Sequence, residues 1–153
     1  MKAAEVRLFM AIAAQNGPDG FKSDTKQAFL NGEKGEEKIY IRAPDWWPEP
    51  VPEGHALMLM KSMYGTRQAA RQWHVRISTW MESHGYLAVN SEKTMFMKRK
   101  RREWIMHGLF IDDMAHASTC PKLKKQFLQE YKKDFYITEE DIVSTFLGME
   151  VEQ

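Results

Sequence analysis

The sequence predicts an α+β fold, in which a mostly antiparallel sheet carries helices packed on one face. Apolar side chains recur at helical spacing in three separate segments. Short alternating or continuous apolar runs lie between these segments and are typical of strands. The strands come in groups and do not alternate singly with helices, which favours antiparallel pairing. A length of 153 residues suits one domain with a real core.

The first predicted helix covers residues 3–14. One of its faces is apolar and consists of Val6, Phe9, Met10 and Ala13. A turn-forming cluster at residues 16–20 follows, and residues 21–24 are predicted to form a short strand that ends on Asp24. Residues 25–30 have room for one or two helical turns before Asn31 and Gly32 interrupt them.

The middle of the chain is predicted to be mostly extended. Residues 38–42 alternate polar and apolar side chains, which is the period of a half-buried strand. Residues 43–55 hold four prolines and the pair Trp46-Trp47, so we expect an extended loop there. Residues 57–60 are a further strand candidate.

The clearest helix is predicted over residues 66–84, with Gly85 as its C-terminal stop. Its apolar stripe consists of Trp73, Ile77, Trp80, Met81 and His84. Residues 93–98 and 103–110 are predicted strands around a basic turn at residues 98–102, and residues 114–118 form the next strand. A last helix begins at Pro121, and its inner face consists of Leu123, Phe127, Tyr131 and Phe135. Residues 146–151 form a strand-like run.

Composition excludes several classes of protein. Charged residues make up 28% of the chain and apolar residues 43%, which indicates a globular domain and not a disordered one. The net charge of +1 gives no general attraction to nucleic acid, so any such attraction comes from local patches. The single cysteine, Cys120, excludes an intramolecular disulfide and suits a reducing compartment. No run is long enough for a membrane span, and no signal peptide is evident.

The pair Asp112-Asp113 is the most informative feature, because two adjacent carboxylates are set between apolar stretches. Like charges about 4 Å apart repel by roughly 4 kcal/mol at an effective dielectric near 20. A hard divalent cation such as Mg²⁺ removes that cost, since it prefers carboxylate oxygens. An ordinary hairpin turn is the alternative, because aspartate favours turns.

Asp24 is the third carboxylate of interest, because it ends a predicted strand. If that strand lies beside the Asp112 hairpin, three carboxylates converge and are suited to two divalent ions. Such a pair of ions stabilises both the attacking and the leaving oxygen of an in-line phosphoryl displacement. The five histidines show no zinc-ligand spacing, and no glycine-rich phosphate loop or nucleophile elbow is present.

Five segments together resemble the reverse transcriptases of copia-type (pseudovirus) retrotransposons. Residues 23–33 resemble the segment D-x-x-x-A-F-L-N-G-E, and residues 37–44 resemble its continuation E-x-I-Y-M-x-x-P. Residues 61–73 resemble K-S-L-Y-G-L-K-Q-A-P-R-x-W. Residues 110–114 resemble the catalytic hairpin Y-V-D-D-M, and residues 146–151 resemble F-L-G-M-E-I. The order and spacing of all five are those of the family.

The resemblance implies a polymerase palm that carries out RNA-directed DNA synthesis. It implies that Asp24 and Asp112 hold two Mg²⁺ ions, for which Mn²⁺ can substitute, with Asp113 beside them. It places Phe29 at the steric gate, where an aromatic ring crowds a ribose 2′-hydroxyl. Simple core packing is the alternative for Phe29.

Two further sets of residues take their roles from the resemblance. Tyr64 and Gly65 fall where the family contacts the incoming nucleotide and the template, and a turn before a helix is the alternative. Leu147, Gly148 and Met149 match the segment that positions the primer end, and a plain buried strand is the alternative. Phe110 replaces the usual tyrosine of the family, and Ala70 replaces the usual proline.

The implied partners are an RNA template, a DNA or RNA primer duplex, deoxynucleoside triphosphates and the other polyprotein parts: fingers, thumb, ribonuclease H and integrase. We expect residues 1–153 to form a single partial domain, the palm, without the N-terminal part of the fingers, the thumb or ribonuclease H, and to be inactive alone. No membrane partner is expected. The implied location is a cytoplasmic virus-like particle, with the nucleus as the alternative.

Other functions are also compatible with the sequence. A catalytically inactive remnant that binds nucleic acid is one alternative, and a two-metal nuclease is another. The basic residues 98–102 suit phosphate contacts, a solvated hairpin tip or nuclear import. Trp46 and Trp47 suit base stacking or a hydrophobic surface that other domains cover.

Overall fold

The computed structural model describes residues 2–16, 19–32, 37–140, 145–146 and 149–150. Within these ranges the chain forms three α-helices, ten strands and one 3-10 turn. The helices are α1 (Ala3–Asn16), α2 (Ala69–Ser83) and α3 (Pro121–Asp134), and the 3-10 turn is Ala28–Asn31. The strands are β1 (Asp19–Thr25), β2 (Tyr40–Ile41), β3 (Leu57–Met58), β4 (Leu87–Ala88), β5 (Met95–Lys100), β6 (Glu103–Phe110), β7 (Asp113–Ser118), β8 (Ile137–Glu140), β9 (Thr145–Phe146) and β10 (Met149–Glu150).

Six of these strands form one sheet in the order β4-β5-β6-β7-β1-β8, and every neighbouring pair is antiparallel. The predicted α+β class is therefore confirmed. Strands β2 and β3 form a separate two-stranded pair, as do β9 and β10. Strand β7 lies between β6 and β1, and α3 connects it to β8 on the other side of β1.

Helices α2 and α3 cover one face of the sheet, as the sequence predicts. Their inward side chains pack against apolar side chains of β1, β5 and β6 in one buried cluster. The helix residues of this cluster include Trp73, Ile77, Trp80, Met81, Leu123, Phe127 and Tyr131. The predicted stripes of both helices are thus the buried ones, and only His84 at the end of its stripe stays partly exposed.

Helix α1 packs on the opposite face, which corrects the expectation that the helices share one face. Val6 and Phe9 are buried there against Met95, Met106 and Ala115 in a second cluster. The physical reason is the composition of the central strands. Residues 105–109 of β6 and 114–118 of β7 are buried without interruption, so both faces of the sheet carry buried side chains and both need a cover.

Several boundaries differ from the predicted ones. The strand predicted over residues 38–42 is reduced to Tyr40–Ile41, and α2 begins at Ala69 instead of residue 66. Strand β5 continues to Lys100, so the basic turn is only Arg101 and Arg102. Among the described residues, no helix has the length and apolar character that crossing a bilayer requires.

Candidate functional site

Asp24 and Asp113 lie directly opposite one another in the antiparallel pair of β1 and β7. Side chains in such positions share one face of the sheet, with Cβ atoms roughly 5 Å apart. Asp112 precedes Asp113 in the two-residue turn between β6 and β7. Its carbonyl oxygen accepts a hydrogen bond of 2.9 Å from the backbone N–H of Thr25. The fold therefore brings the N-terminal acid next to the acidic pair, as the sequence predicts.

The strand register assigns these carboxylates to a face of the sheet. Ser23 and Thr25 point toward α2 and α3, since Ser23 Oγ lies 2.7 Å from His116 Nε2 and Thr25 Oγ1 lies 3.0 Å from the Tyr131 hydroxyl. Alternate residues of a strand point to opposite faces. Asp24 and its neighbour Asp113 therefore lie on the face away from these helices, which is the face where α1 packs against Ala115 and Ala117.

Two lysines neutralise two of the three carboxylates. Lys22 Nζ lies 3.2 Å from Asp113 Oδ1, and Lys26 Nζ lies 2.8 Å from Asp24 Oδ2. The hydrogen bond and the charge of Asp24 raise the pKa of the Lys26 ammonium. The Thr138 hydroxyl on β8 lies 3.4 Å from Asp24 Oδ2, at the limit of a hydrogen bond.

The donor chemistry fits a hard divalent cation, because the three side chains offer carboxylate oxygens from two adjacent strands. The described part of the chain nevertheless holds no group of three or more His, Cys, Asp or Glu side chains arranged closely enough for a metal ion. The two lysine pairs are consistent with this, since each directs one carboxylate toward an ammonium group. Asp24, Asp112 and Asp113 are therefore neighbours, but their side chains do not converge on one point as the ligands of a bound metal ion do.

The turn that carries Asp112 has an unusual backbone. Phe110 pairs with Asp113, so Ile111 and Asp112 form the two-residue loop. Ile111 has a φ of 56°. Hairpin loops with a positive φ at the first central residue favour glycine there, because a β-branched residue is strained in that conformation. The Ile111 carbonyl oxygen accepts a hydrogen bond of 2.6 Å from the indole Nε1–H of Trp73 on α2.

Phe29 and Tyr64 meet close to the carboxylates. Their ring centroids lie 4.4 Å apart, at an interplanar angle of 44°. Partial burial raises the pKa of the Tyr64 hydroxyl, and the negative charges of Asp112 and Asp24 raise it further. Tyr64 is therefore close enough to both acids to sense their charge. Three segments that are distant in the sequence thus contribute to one site.

Two glycines near these rings are required for different reasons. Gly65 has a φ of 89° and open space around it, so its role there is to allow the backbone conformation. At Gly32, a Cβ atom would lie 2.7 Å from Ser62 Oγ and 3.1 Å from the backbone nitrogen of Trp73. Gly32 therefore allows the 3-10 turn that carries Phe29 to approach α2 closely.

Of the predicted primer-positioning residues, the structure describes only Met149. Leu147 and Gly148 are outside the described residues. Met149 begins β10, where its backbone pairs with Phe146 of β9. The role of these three residues stays a prediction from the resemblance.

Sequence reasoning missed the lysine partners and the turn contact of Trp73. Lys22 has a signal in the sequence, because residues two apart in a strand share a face and Lys22 is two residues before Asp24. The contact of Trp73 has no local signal, since 38 residues separate it from Ile111. The apolar stripe of α2 identified Trp73 only as a core residue.

Comparison with known proteins agrees with these motifs. The family described as reverse transcriptase (RNA-dependent DNA polymerase) matches residues 1–153. The chain is 28% identical over 152 residues to the retrovirus-related Pol polyprotein from transposon TNT 1-94 of Nicotiana tabacum, covering 99% of this chain and 11% of that protein. It is 24% identical over 153 residues to the retrovirus-related Pol polyprotein from transposon RE2 of Arabidopsis thaliana, covering 100% of this chain and 10% of that protein.

The chain spans about a tenth of the length of these plant relatives. No solved structure matches it. The matches to retrotransposon Pol polyproteins confirm the copia-type resemblance that the five motifs predict.

Proposed function

Because the chain belongs to the reverse transcriptase (RNA-dependent DNA polymerase) family, we propose that it forms the palm of an RNA-directed DNA polymerase of a copia-type retrotransposon. In this proposal it adds deoxynucleotides to a primer on an RNA template by two-metal nucleotidyl transfer. The observation that carries the proposal is the placement of Asp24 opposite Asp113. The hydrogen bond from Thr25 to the Asp112 carbonyl keeps the third acid beside them.

Asp24, Asp112 and Asp113 are the residues that would hold two Mg²⁺ ions, with Mn²⁺ as a substitute. When bound there, the divalent cations supply the positive charge that the attacking 3′-hydroxyl and the departing pyrophosphate need. The carboxylates provide the negative oxygens. Lys22 and Lys26 would have to leave Asp113 and Asp24 before these carboxylates could hold a cation, because an ammonium group and a cation compete for the same oxygens.

Phe29 and Tyr64 act in this proposal on the sugar of the incoming nucleotide. The Tyr64 ring supports Phe29 from one side, since their centroids are 4.4 Å apart. Phe29 also packs against the buried cluster that α2 and α3 form with the sheet. A ring fixed in this way can exclude a ribose 2′-hydroxyl by its bulk. The positive φ of Gly65 gives the chain its turn immediately after Tyr64.

The remaining roles rest on the resemblance alone. Leu147, Gly148 and Met149 would position the primer end. The partners would be an RNA template, a primer duplex, deoxynucleoside triphosphates and the other polyprotein domains. The site of action would be a cytoplasmic virus-like particle, with the nucleus as the alternative.

A primer-extension assay on the full-length parent protein tests the proposal. Asp112→Asn keeps the shape of the side chain and removes the charge that a divalent cation needs. We expect it to abolish extension, whereas Asp45→Asn, in the proline-rich loop, leaves extension unchanged. Equal extension by the wild type and Asp112→Asn would refute the catalytic role.

A second candidate is a catalytically inactive remnant that binds nucleic acid. The observation in its favour is that the described residues hold no group of three metal-ligating side chains, while lysines pair with Asp24 and Asp113. This candidate predicts duplex binding by the full-length parent without any Mg²⁺-dependent or Mn²⁺-dependent extension. Extension that requires Asp112 excludes it.

A further inference from the structure

The turn between β6 and β7 holds a residue in a conformation that its side chain disfavours. Ile111 is β-branched and has a φ of 56°, a region that such residues rarely occupy. Ile111 is 52% exposed, so packing of its side chain does not account for the conformation. A strained backbone of this kind persists only where the surrounding structure determines it.

Trp73 provides a contact that can hold Ile111 in this backbone conformation. The indole Nε1–H donates to the Ile111 carbonyl oxygen at 2.6 Å. The indole ring is itself fixed, because Trp73 is 2% exposed and makes an edge-to-face contact with Phe135 at 5.4 Å between centroids. An indole N–H is a donor only, and a buried donor without a partner is costly.

The next carbonyl of the turn is held from another direction. Asp112 accepts a hydrogen bond at its carbonyl oxygen from the Thr25 N–H at 2.9 Å, and Thr25 follows Asp24 on β1. Two consecutive peptide groups are thus fixed, one to α2 and one to β1. These two peptide groups flank the Cα atom of Asp112.

We propose that Trp73 is a positioning residue for the carboxylate site: its indole N–H fixes the Ile111 peptide so that Asp112 and Asp113 are presented beside Asp24. This inference rests on the proposed function, since it assigns Trp73 a part in the same site. Trp73 does not touch the reacting groups in this account, and it acts through the backbone of the turn.

Trp80 offers a matched control on the same helix. It is 4% exposed, and its indole Nε1–H donates to Asp134 Oδ2 at 2.8 Å, at the end of α3. Phenylalanine at either position removes one buried indole N–H and keeps an aromatic ring. Only Trp73→Phe releases the turn, whereas both variants lose one hydrogen bond and some core volume.

The experiment compares Trp73→Phe and Trp80→Phe in the 153-residue chain, with Mn²⁺ as the probe. We expect Trp73→Phe to weaken Mn²⁺ binding by roughly three- to tenfold, the usual effect of one lost hydrogen bond. We expect it to speed hydrogen exchange at the amide of Thr25 as well. Trp80→Phe should leave both quantities within about twofold of the wild type. Adding Ile111→Gly to Trp73→Phe should restore part of the affinity, because glycine accepts a positive φ without strain.

Equal Mn²⁺ binding and equal amide exchange in the wild type and Trp73→Phe would overturn the inference, as would equal losses in both tryptophan variants. If the wild type binds no Mn²⁺, the metal site of the proposed function fails, and amide exchange alone then decides the role of Trp73. If Trp73→Phe does not fold, a Mg²⁺ titration of the wild type replaces it. The Trp73 indole resonance should then shift together with the Asp112 amide, and a Trp73 resonance that stays as still as that of Trp80 would overturn the inference.

Discussion

Lys22 and Asp113 form an ion pair across β1 and β7, with 3.2 Å between Nζ and Oδ1, in the middle of the candidate metal site. An ammonium group at this place opposes a divalent cation in two ways. It occupies a ligand oxygen, and it repels the cation by its charge.

Lys22→Gln should therefore tighten Mn²⁺ binding by the 153-residue chain, by roughly two- to fivefold at low ionic strength. The gain should shrink as salt is added, since the pair is partly exposed. Calorimetric titration with Mn²⁺ measures it. The control is Lys93→Gln, because Lys93 pairs with Glu82 at 2.7 Å away from the site. Unchanged or weaker binding by Lys22→Gln would contradict this account.

The two buried histidines predict how stability depends on pH. His107 Nδ1 and His116 Nδ1 lie 2.7 Å apart, and both rings contact Phe127 of α3. Burial lowers the pKa of His107 from 6.5 to about 3 and lowers the pKa of His116 well below 6.5. The unfolded chain therefore binds more protons than the folded chain as the pH falls below about 6.5.

The free energy of unfolding should be constant above about pH 6.5 with respect to these two groups. Below that pH it should fall by about 1.4 kcal/mol per pH unit for each histidine. The contribution of His107 should level off near its folded pKa of about 3. Urea unfolding at several pH values measures the slope, and His107→Met should reduce it while the exposed His55→Gln does not. If the free energy of unfolding changes with pH equally in the wild type and in His107→Met, the two buried histidines are not the uncharged pair described here.

Gly32→Ala should destabilise the chain by about 1–3 kcal/mol, because a Cβ atom there overpacks the contact between the 3-10 turn and α2. The atoms in its way include backbone atoms of Phe29 and Trp73, each 3.1 Å from the added Cβ. Urea unfolding of the 153-residue chain measures the effect. Gly32 has a φ of −63°, so alanine there adds no backbone strain and the loss comes from overpacking. A loss at Gly32 below about 0.5 kcal/mol would show that the close approach is unimportant.

Phe29→Ala should relax the choice of sugar in the full-length parent protein. With the ring removed, a ribose 2′-hydroxyl no longer meets an aromatic side chain supported by Tyr64. We expect ribonucleotide incorporation relative to deoxynucleotide incorporation to rise by at least about tenfold, which corresponds to roughly 1.4 kcal/mol of lost discrimination. Leu30→Ala, in the same 3-10 turn, is the control. Unaltered discrimination in Phe29→Ala would remove the steric-gate assignment.

Helical periodicity and strand patterning predicted most of the fold from the sequence. The stripe of α2 and the inner face of α3 are the buried ones, because amphipathic helices bury their apolar side wherever they pack. The placement of α1 could not be predicted in the same way. Its apolar face requires burial, but periodicity does not show against which face of the sheet the helix packs.

The candidate site was predicted in part. The motifs identified Asp24, Asp112 and Asp113, and the register of β1 and β7 sets Asp24 opposite Asp113. The lysine pairs and the contact from Trp73 to Ile111 depend on strand register and on helix docking, which arise from the whole fold. Local sequence patterns identify the acidic residues, whereas the groups that surround them depend on the tertiary structure.

A double-mutant cycle on Asp24 and Asp112 tests the central claim most directly, by primer extension with the full-length parent protein. If the two carboxylates form one metal site, Asp24→Asn and Asp112→Asn each lower the extension rate by at least about a hundredfold, and the double variant is no slower than the slower single variant. Substantial extension by either single variant, or losses that multiply in the double variant, would contradict a shared site.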